Sequence, residues 1–216
     1  MSTTIDVQTI DDTHVQWSGG AAWALDSASV RQFIGYNTSN AYKCGGGYRF
    51  MVNIAQGETI ITAYITFQAT YNRTGTVVKA YIVGEDVDDA AAFSNIANYQ
   101  GRRGTVVGGA NDNNITTAKV DWDPIAAWSA NQNYNTPEIK TIIQEIVDRP
   151  GKVPNQHMVI FVDDHDGRTT QSASTVREPK SIEEGNSHEA TLHIEYGTSA
   201  APGPSSVARF MAGGLL

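Results

Sequence analysis

The densest group of side chains able to bind a cation is an acidic cluster that contains Asp163, Asp164 and Asp166. Alternating carboxylates followed by a glycine suit a loop that wraps a hard cation such as calcium. The loop is not an EF-hand, because the twelfth position counted from Asp164 is Thr175 and not glutamate. Carboxylates of this kind are also common in ordinary solvent-exposed turns, where they hydrogen-bond to the backbone. The sequence therefore leaves two interpretations for this loop, a structural calcium site or a polar turn, and residues 85–89 form a second acidic segment open to both.

The residue patterns of common catalytic sites are missing from the sequence. The five histidines lack the spacing of a zinc site, and there is no G-x-S-x-G motif around a serine. The one cysteine, Cys44, has no histidine or cationic neighbour in sequence, and we interpret it as a small buried residue. We expect a protein that is not an enzyme and that requires no cofactor, with calcium as the one candidate ion.

Aromatic residues offer a route to ligand binding, because sugars place their C–H faces on aromatic rings while amides and acids take their hydroxyls. Two tryptophans and two tyrosines lie in an irregular region before residue 45, among glycine, serine and asparagine. The candidate glycan platform consists of Trp17, Trp23, Tyr36 and Tyr42. The alternative is that these rings pack the edges of the core, as we expect of Trp122 and Trp128.

Short segments of alternating polarity, separated by turn residues, predict an all-β sandwich. The predicted strands are 48–54, 60–70, 76–83, 116–122, 157–162 and 190–196. In the last of them, a period of two places Thr191, His193 and Glu195 on one face. Leucine, isoleucine and tyrosine occupy the other face.

One amphipathic helix is predicted at about 137–148, docked on a sheet. Thr136 suits the N-cap and Pro137 the first helical position. The apolar stripe follows at i, i+3, i+4, i+7 and i+8, and it consists of Ile139, Ile142, Ile143, Ile146 and Val147. Pro150-Gly151 ends the helix. An alanine-rich stretch after Asp88 predicts a shorter helix over 88–98.

The chain divides into a domain of residues 1–196 and a linker with an apolar C-terminal arm, residues 197–216. The apolar residues of the arm are Val207, Phe210, Met211, Leu215 and Leu216. Two interpretations are open: the arm packs on its own domain, or it docks into a neighbouring subunit.

Charge and hydropathy restrict the partners and the compartment. The net charge is −8, and the positive residues come singly or in pairs, so we expect no nucleic-acid binding. No apolar run approaches the roughly 20 residues that span a bilayer, so we expect no membrane insertion. Residues 1–10 have neither a basic nor an apolar segment of a signal peptide. We therefore expect synthesis in a cytoplasm without export.

The order of these segments resembles the DNRLRE-type jelly-roll modules over about residues 9–196. The segments that carry the resemblance are 47–50, 57–60, 63–67, 81–90, 120–122 with Trp128, 136–151, 158–161 and 190–196. The resemblance implies a jelly-roll β-sandwich. Modules of this type accompany bacterial polysaccharide lyases and surface proteins, where some bind glycans, and similar chains stand alone as structural proteins of tailed bacteriophages.

Two functions follow as expectations. The first is a virion structural protein of a tailed bacteriophage, such as a capsid decoration or cement subunit or another subunit of the particle surface. Such a chain is made in the host cytoplasm, and its partners are copies of itself and capsid or tail proteins. The alternative is a carbohydrate-binding module for adhesion to a surface glycan. Fold resemblance alone does not decide between these functions.

Overall fold

The computed structural model of the chain describes residues 2–17, 23–26, 32–37, 42–74, 77–104, 114–164, 167–172, 175–185 and 188–197. Within these residues the structure is mostly β, with two short α-helices. The first strands are β1 (Ser2–Gln8), β2 (Asp11–Trp17), β3 (Trp23–Asp26), β4 (Ile34–Asn37), β5 (Tyr42–Val52) and β6 (Thr59–Gln68). They are followed by β7 (Val78–Glu85), β8 (Ile115–Ile125), β9 (Asn133–Asn135), β10 (Gln156–Asp163), β11 (Val176–Arg177) and β12 (Thr191–Gly197). The helices are α1 (Ile96–Arg103) and α2 (Lys140–Val147).

The smaller sheet has four antiparallel strands in the order β1-β12-β6-β9. Strand β12 therefore lies between β1 and β6, so segments from the two ends of the described chain meet in one sheet. Ser2 pairs with Gly197, and Gln8 pairs with Thr191 at the other end of the same ladder. This arrangement places the point where the chain leaves β12 beside the start of β1.

The larger sheet is also antiparallel, and its strand path is β11-β4-β5-β10-β7-β8. Strand β5 is long enough to pair with β4 near its start and with β10 along its remainder. Its other edge pairs with β2, which in turn pairs with β3. Strand β5 therefore pairs with three strands, β4 and β10 along one edge and β2 along the other.

The two antiparallel sheets share the main hydrophobic core, so the predicted β-rich fold is confirmed at the level of a mostly β structure with two sheets. Alternation in β6 buries Ala63, Ile65 and Phe67 on the inner face. Trp122 and Trp128 are buried in the same core at 7% and 1% exposure, as expected from the sequence. Each fully buried large apolar side chain contributes roughly 1.5–3 kcal/mol before entropy costs. Cys44 is also fully buried, and burial raises the pKa of its thiol to about 12.

Helix α2 packs against β6, β7 and β8 through the predicted apolar stripe, whose members are all fully buried. Its start was predicted wrongly, because Thr136 is not the N-cap and the helix begins only at Lys140. The Thr136 hydroxyl instead accepts the backbone N–H of Ile65 at 3.0 Å. Glu138 likewise accepts the backbone N–H of Ala63 at 2.6 Å. These side chains hold residues 136–138 against β6, which delays the start of the helix.

The shorter helix predicted over 88–98 is wrong, because α1 spans Ile96–Arg103. Asn95 caps it through a hydrogen bond from the backbone N–H of Asn98 at 2.9 Å. Tyr99 of α1 is fully buried and packs with Phe161 and Val83 in a second, smaller core on the outer side of the larger sheet. Neither described helix is long and apolar enough to cross a membrane.

Candidate ligand-binding face

The candidate calcium loop begins with a carboxylate that already has a cationic partner. Arg103 Nε donates to Asp163 Oδ2 at 2.8 Å, and Arg103 Nη2 donates to Asp163 Oδ1 at 3.0 Å. The two side chains are 5% and 1% exposed. Both oxygens of Asp163 therefore face a guanidinium, and a calcium ion bound there would have to displace Arg103.

Asp164 closes the same loop by accepting backbone hydrogen bonds. Its oxygens accept the N–H of Arg168 at 2.7 Å and the N–H of Thr169 at 3.0 Å. Burial raises the pKa of Asp164 to about 6 in spite of these bonds. Asp166 lies outside the described residues. Within the described parts of the chain, no three histidine, cysteine or acidic side chains come together as metal ligands, so the calcium site stays a prediction that involves Asp166.

The second acidic segment, residues 85–89, is bound to basic residues from other elements. Glu85 accepts two hydrogen bonds from Arg102, at 2.8 Å to Nε and 2.6 Å to Nη2. Arg149 binds Asp86 and also Asp88, the latter at 2.7 Å. The last carboxylate, Asp89, accepts the backbone N–H of His157 at 2.8 Å and contacts its ring nitrogen at 2.7 Å. Ion pairs with two arginines and hydrogen bonds with His157 thus hold the segment in place.

The candidate glycan platform falls on neighbouring strands of the larger sheet. Trp17 is the register partner of both Trp23 and Lys43, and Tyr36 is also a partner of Lys43. The backbone therefore places three of the four aromatic residues in one row across β3, β2, β5 and β4. Tyr42 precedes Lys43 in β5 and is outside this row. Tyr36 and Tyr42 are half-buried, whereas the side chains of Trp17 and Trp23 lie outside what the structure describes.

The predicted apolar arm, with Val207, Phe210, Met211, Leu215 and Leu216, lies outside the described residues. The structure gives only the place from which the chain continues toward it. That place is Gly197, at the end of β12 and opposite Ser2 of β1.

A different surface emerges from the register of the smaller sheet, and we call it the polar face. It is the outer side of the four strands, and its side chains are Thr4, Asp6 and Gln8 of β1, Thr62, Tyr64, Thr66 and Gln68 of β6, Asn133 and Asn135 of β9, and Thr191, His193 and Glu195 of β12. Each of these side chains is half-buried or exposed. The inner side of the same strands supplies the core, so the face is a polar surface that lies over a buried apolar layer.

The centre of the polar face carries one stacked pair of rings. Tyr64 and His193 are cross-strand partners, and their ring centroids lie 4.6 Å apart with an angle of 17° between the planes. His193 Nδ1 lies 2.7 Å from Asp6 Oδ1 on the next strand. The carboxylate orients the imidazole, and the imidazole in turn supports the phenol ring. The row Asp6–His193–Tyr64 therefore presents a positioned aromatic ring on a polar surface.

A shallow cavity of about 80 Å³ lies beside this pair on the polar face. It is lined by Thr66, Gln68, Asn133, His188, Glu189 and Thr191. Gln68 Nε2 is 3.4 Å from Asn133 Oδ1, and Gln68 Oε1 is shielded without a hydrogen-bond partner among the described residues. Hydroxyl, amide, imidazole and carboxylate groups thus converge on a space that holds a few water molecules or a substituent of that size.

The polar face has a one-sided charge pattern. The strands β1, β6, β9 and β12 contain no lysine or arginine. Their carboxylates include Asp6 and Glu195, and Glu189 lines the cavity. The surface is therefore neutral to acidic and offers hydrogen-bonding groups without a fixed cation.

Part of this face was visible in the sequence. The prediction that Thr191, His193 and Glu195 share one side of a strand is confirmed. The alternation of one strand does not reveal its neighbours, however, so the stack of His193 on Tyr64 could not be predicted. Searches of protein-family models and of curated proteins give no match to the chain.

Proposed function

We propose that the chain is a non-enzymatic structural protein of a tailed bacteriophage particle, built on a jelly-roll arrangement of its two sheets. It would serve as a capsid decoration or cement subunit or as another particle-surface subunit. Its partners are copies of itself and capsid or tail proteins, and it is made in the host cytoplasm. The resemblance to DNRLRE-type modules and the two antiparallel sheets with a shared core support this proposal.

The observation that carries the proposal is the position of Gly197. Strand β12 is an inner strand of the smaller sheet, and it ends at Gly197 opposite Ser2, at the limit of the β1–β12 ladder. The apolar residues of 205–216 follow after a short linker rich in proline and glycine. A segment joined to the rim of a sheet by such a linker can reach a neighbouring subunit. Burial of its apolar residues there would stabilise the assembly.

Light scattering of the full chain and of a variant lacking 198–216, each over a dilution series, tests this proposal. We expect the full chain to associate and the shortened chain to remain monomeric. Phe210→Asp should weaken association, whereas Val153→Asp, at a position that is 52% exposed, serves as the matched control. Equal masses for the full and the shortened chain would contradict self-assembly through this segment.

The second candidate function is adhesion to a surface glycan, and one specific observation favours it. The polar face combines a supported aromatic ring, Tyr64, with a cavity lined by hydrogen-bonding side chains. This is the composition of sites that bind sugars, in which rings take C–H faces and amides take hydroxyls. The two candidates are compatible, because a virion subunit can also bind the host surface.

A further inference from the structure

We propose that the polar face binds an uncharged glycan, with a sugar ring against Tyr64 and a ring substituent in the adjacent cavity. This inference rests on the second candidate function above, and it adds the chemical class of the ligand and its position. Three observations carry it: the charge of the face, the support of the aromatic ring, and the groups that line the cavity.

The charge of the face selects against acidic glycans. Proteins bind carboxylates, sulfates and phosphates mainly through arginine and lysine, and the four strands of the smaller sheet contain neither. Asp6, Glu189 and Glu195 instead give the face negative charge. A uronate or phosphate placed here would meet like charges without a compensating cation, whereas an uncharged sugar would not.

The support of the Tyr64 ring makes it a suitable platform. His193 stacks on one side of the ring at 4.6 Å, and Asp6 fixes the orientation of His193 through the 2.7 Å contact. A ring held by a neighbour loses little side-chain entropy when a ligand binds, because its conformation is already restricted. Tyr64 is half-buried, so part of the ring remains accessible for the C–H face of a sugar.

The cavity is placed to receive a substituent of the same sugar or the next one. Thr66 follows Tyr64 by two residues on the same face, and Thr191 precedes His193 by two. Two residues of a strand span about 7 Å, which is the scale of one sugar unit. The side-chain amide of Asn133, an exposed residue that lines the cavity, offers both a donor and an acceptor. Sugar hydroxyls donate and accept, and so match this mixture.

The test is calorimetric titration of the full chain with two sets of hexasaccharides. The neutral set consists of hexamers of glucose, mannose and N-acetylglucosamine, and the acidic set consists of hexamers of mannuronate and galacturonate. We expect binding of at least one neutral hexamer, unchanged between low and physiological salt, and no binding of either uronate. Tyr64→Ala should weaken the binding about tenfold, equivalent to ~1.4 kcal/mol.

Matched variants locate the site. Gln68→Ala should also weaken binding, whereas Tyr71→Ala should not, because Tyr71 is an exposed tyrosine outside the polar face. Glu195→Lys, which places a cation on the polar face, should allow uronate binding at low salt. Amide chemical shifts of each variant verify that the fold is retained, so a loss of binding can be assigned to the site.

Each failure has a separate meaning. Uronate binding that depends on Tyr64, without neutral binding, would overturn the uncharged class and leave glycan adhesion standing. Neutral binding unaffected by both Tyr64→Ala and Gln68→Ala would overturn the location and also leave glycan adhesion standing. Failure of all the hexamers to bind would overturn both the inference and glycan adhesion, while the assembly proposal would still depend on light scattering.

Discussion

Arg103 at the end of α1 and Asp163 at the end of β10 form a buried bidentate ion pair. The preceding residue, Arg102, makes a second bidentate pair with Glu85 at the end of β7. Two consecutive arginines thus bind the ends of two neighbouring strands of the larger sheet. These pairs fix α1 on the outer side of that sheet, where Tyr99 fills the small second core.

Removal of one member of this pair should be strongly destabilising. We expect Arg103→Ala to lower the free energy of unfolding by about 3–5 kcal/mol, because the buried Asp163 carboxylate would lose the guanidinium that balances its charge. Urea denaturation measures the change. The control is Lys79→Ala, whose ion pair with Asp123 is about 30% exposed and should contribute less than about 1 kcal/mol. Equal losses for the two variants would contradict the importance of burial.

Calcium should have little effect on the folded chain. We expect the same melting temperature with excess calcium and with EDTA, because Arg103 already neutralises Asp163 and backbone N–H groups already bind Asp164. Differential scanning calorimetry under both conditions provides the measurement. A lower melting temperature with EDTA would support the calcium site and would require Arg103 to leave Asp163.

Asp12 should make the stability of the domain depend on pH. Its carboxyl is 1% exposed and accepts hydrogen bonds from Gln32 Nε2 at 2.7 Å and from the backbone N–H of Ile182 at 3.0 Å. Burial, assisted by Glu183 and Asp11, raises the pKa of Asp12 from 3.8 to about 7. The stabilising effect of its proton is therefore fully present below pH ~4 and is lost as the pH rises through about 7.

The variant Asp12→Asn isolates this contribution, because the raised pKa of Asp164 acts in the same direction. The pKa change of Asp12 corresponds to about 4 kcal/mol. We expect the wild type to lose stability between about pH 4 and pH 8, and Asp12→Asn to lose less by up to that amount. Denaturation at a series of pH values would reveal the difference. Parallel pH profiles for the two proteins would count against a titrating Asp12.

The contact of α2 with the larger sheet should depend on Gly84. A Cβ atom at this position would lie 2.7 Å from Ile146 Cδ1 and 3.0 Å from Ile142 Cγ2. We expect Gly84→Ala to destabilise the fold by about 1–3 kcal/mol through overpacking. Gly101→Ala is the matched control, because nothing lies within 4 Å of its added methyl group and the substitution should stabilise α1 by about 0.4–1 kcal/mol. Thermal unfolding of both variants should show shifts of opposite sign.

The sequence predicted those features of the fold that depend on local periodicity. The isoleucine stripe of α2 and the alternation of β12 are confirmed, because each pattern reports which side of one element is buried. The start of α2 was wrong because Thr136 and Glu138 bind backbone groups of β6, a strand some 70 residues earlier in the chain. Such tertiary hydrogen bonds leave no local signal.

The position of α1 was wrong for a related reason. Arg149 forms ion pairs with Asp86 and Asp88, and His157 hydrogen-bonds to Asp89, so the segment that looked like a helix start is held in another conformation. The local signal lay further along, in Asn95 as an N-cap and in the two arginines of the last turn. The polar face as a whole could not be predicted from the sequence, because it depends on the register of four strands from distant parts of the chain.

The position of β12 between β1 and β6 also determines when the smaller sheet can close during translation. Strand β1 is synthesised well before β12, because the paired residues Ser2 and Gly197 are separated by almost the whole domain. Until β12 has been synthesised, the edge of β6 that pairs with it remains unpaired. Contacts between segments this distant in sequence also form slowly. Two nascent chains on one polysome, each with this edge of β6 still unpaired, could exchange their β12 strands. High expression should therefore favour domain-swapped dimers over the fold in which each chain supplies its own β12.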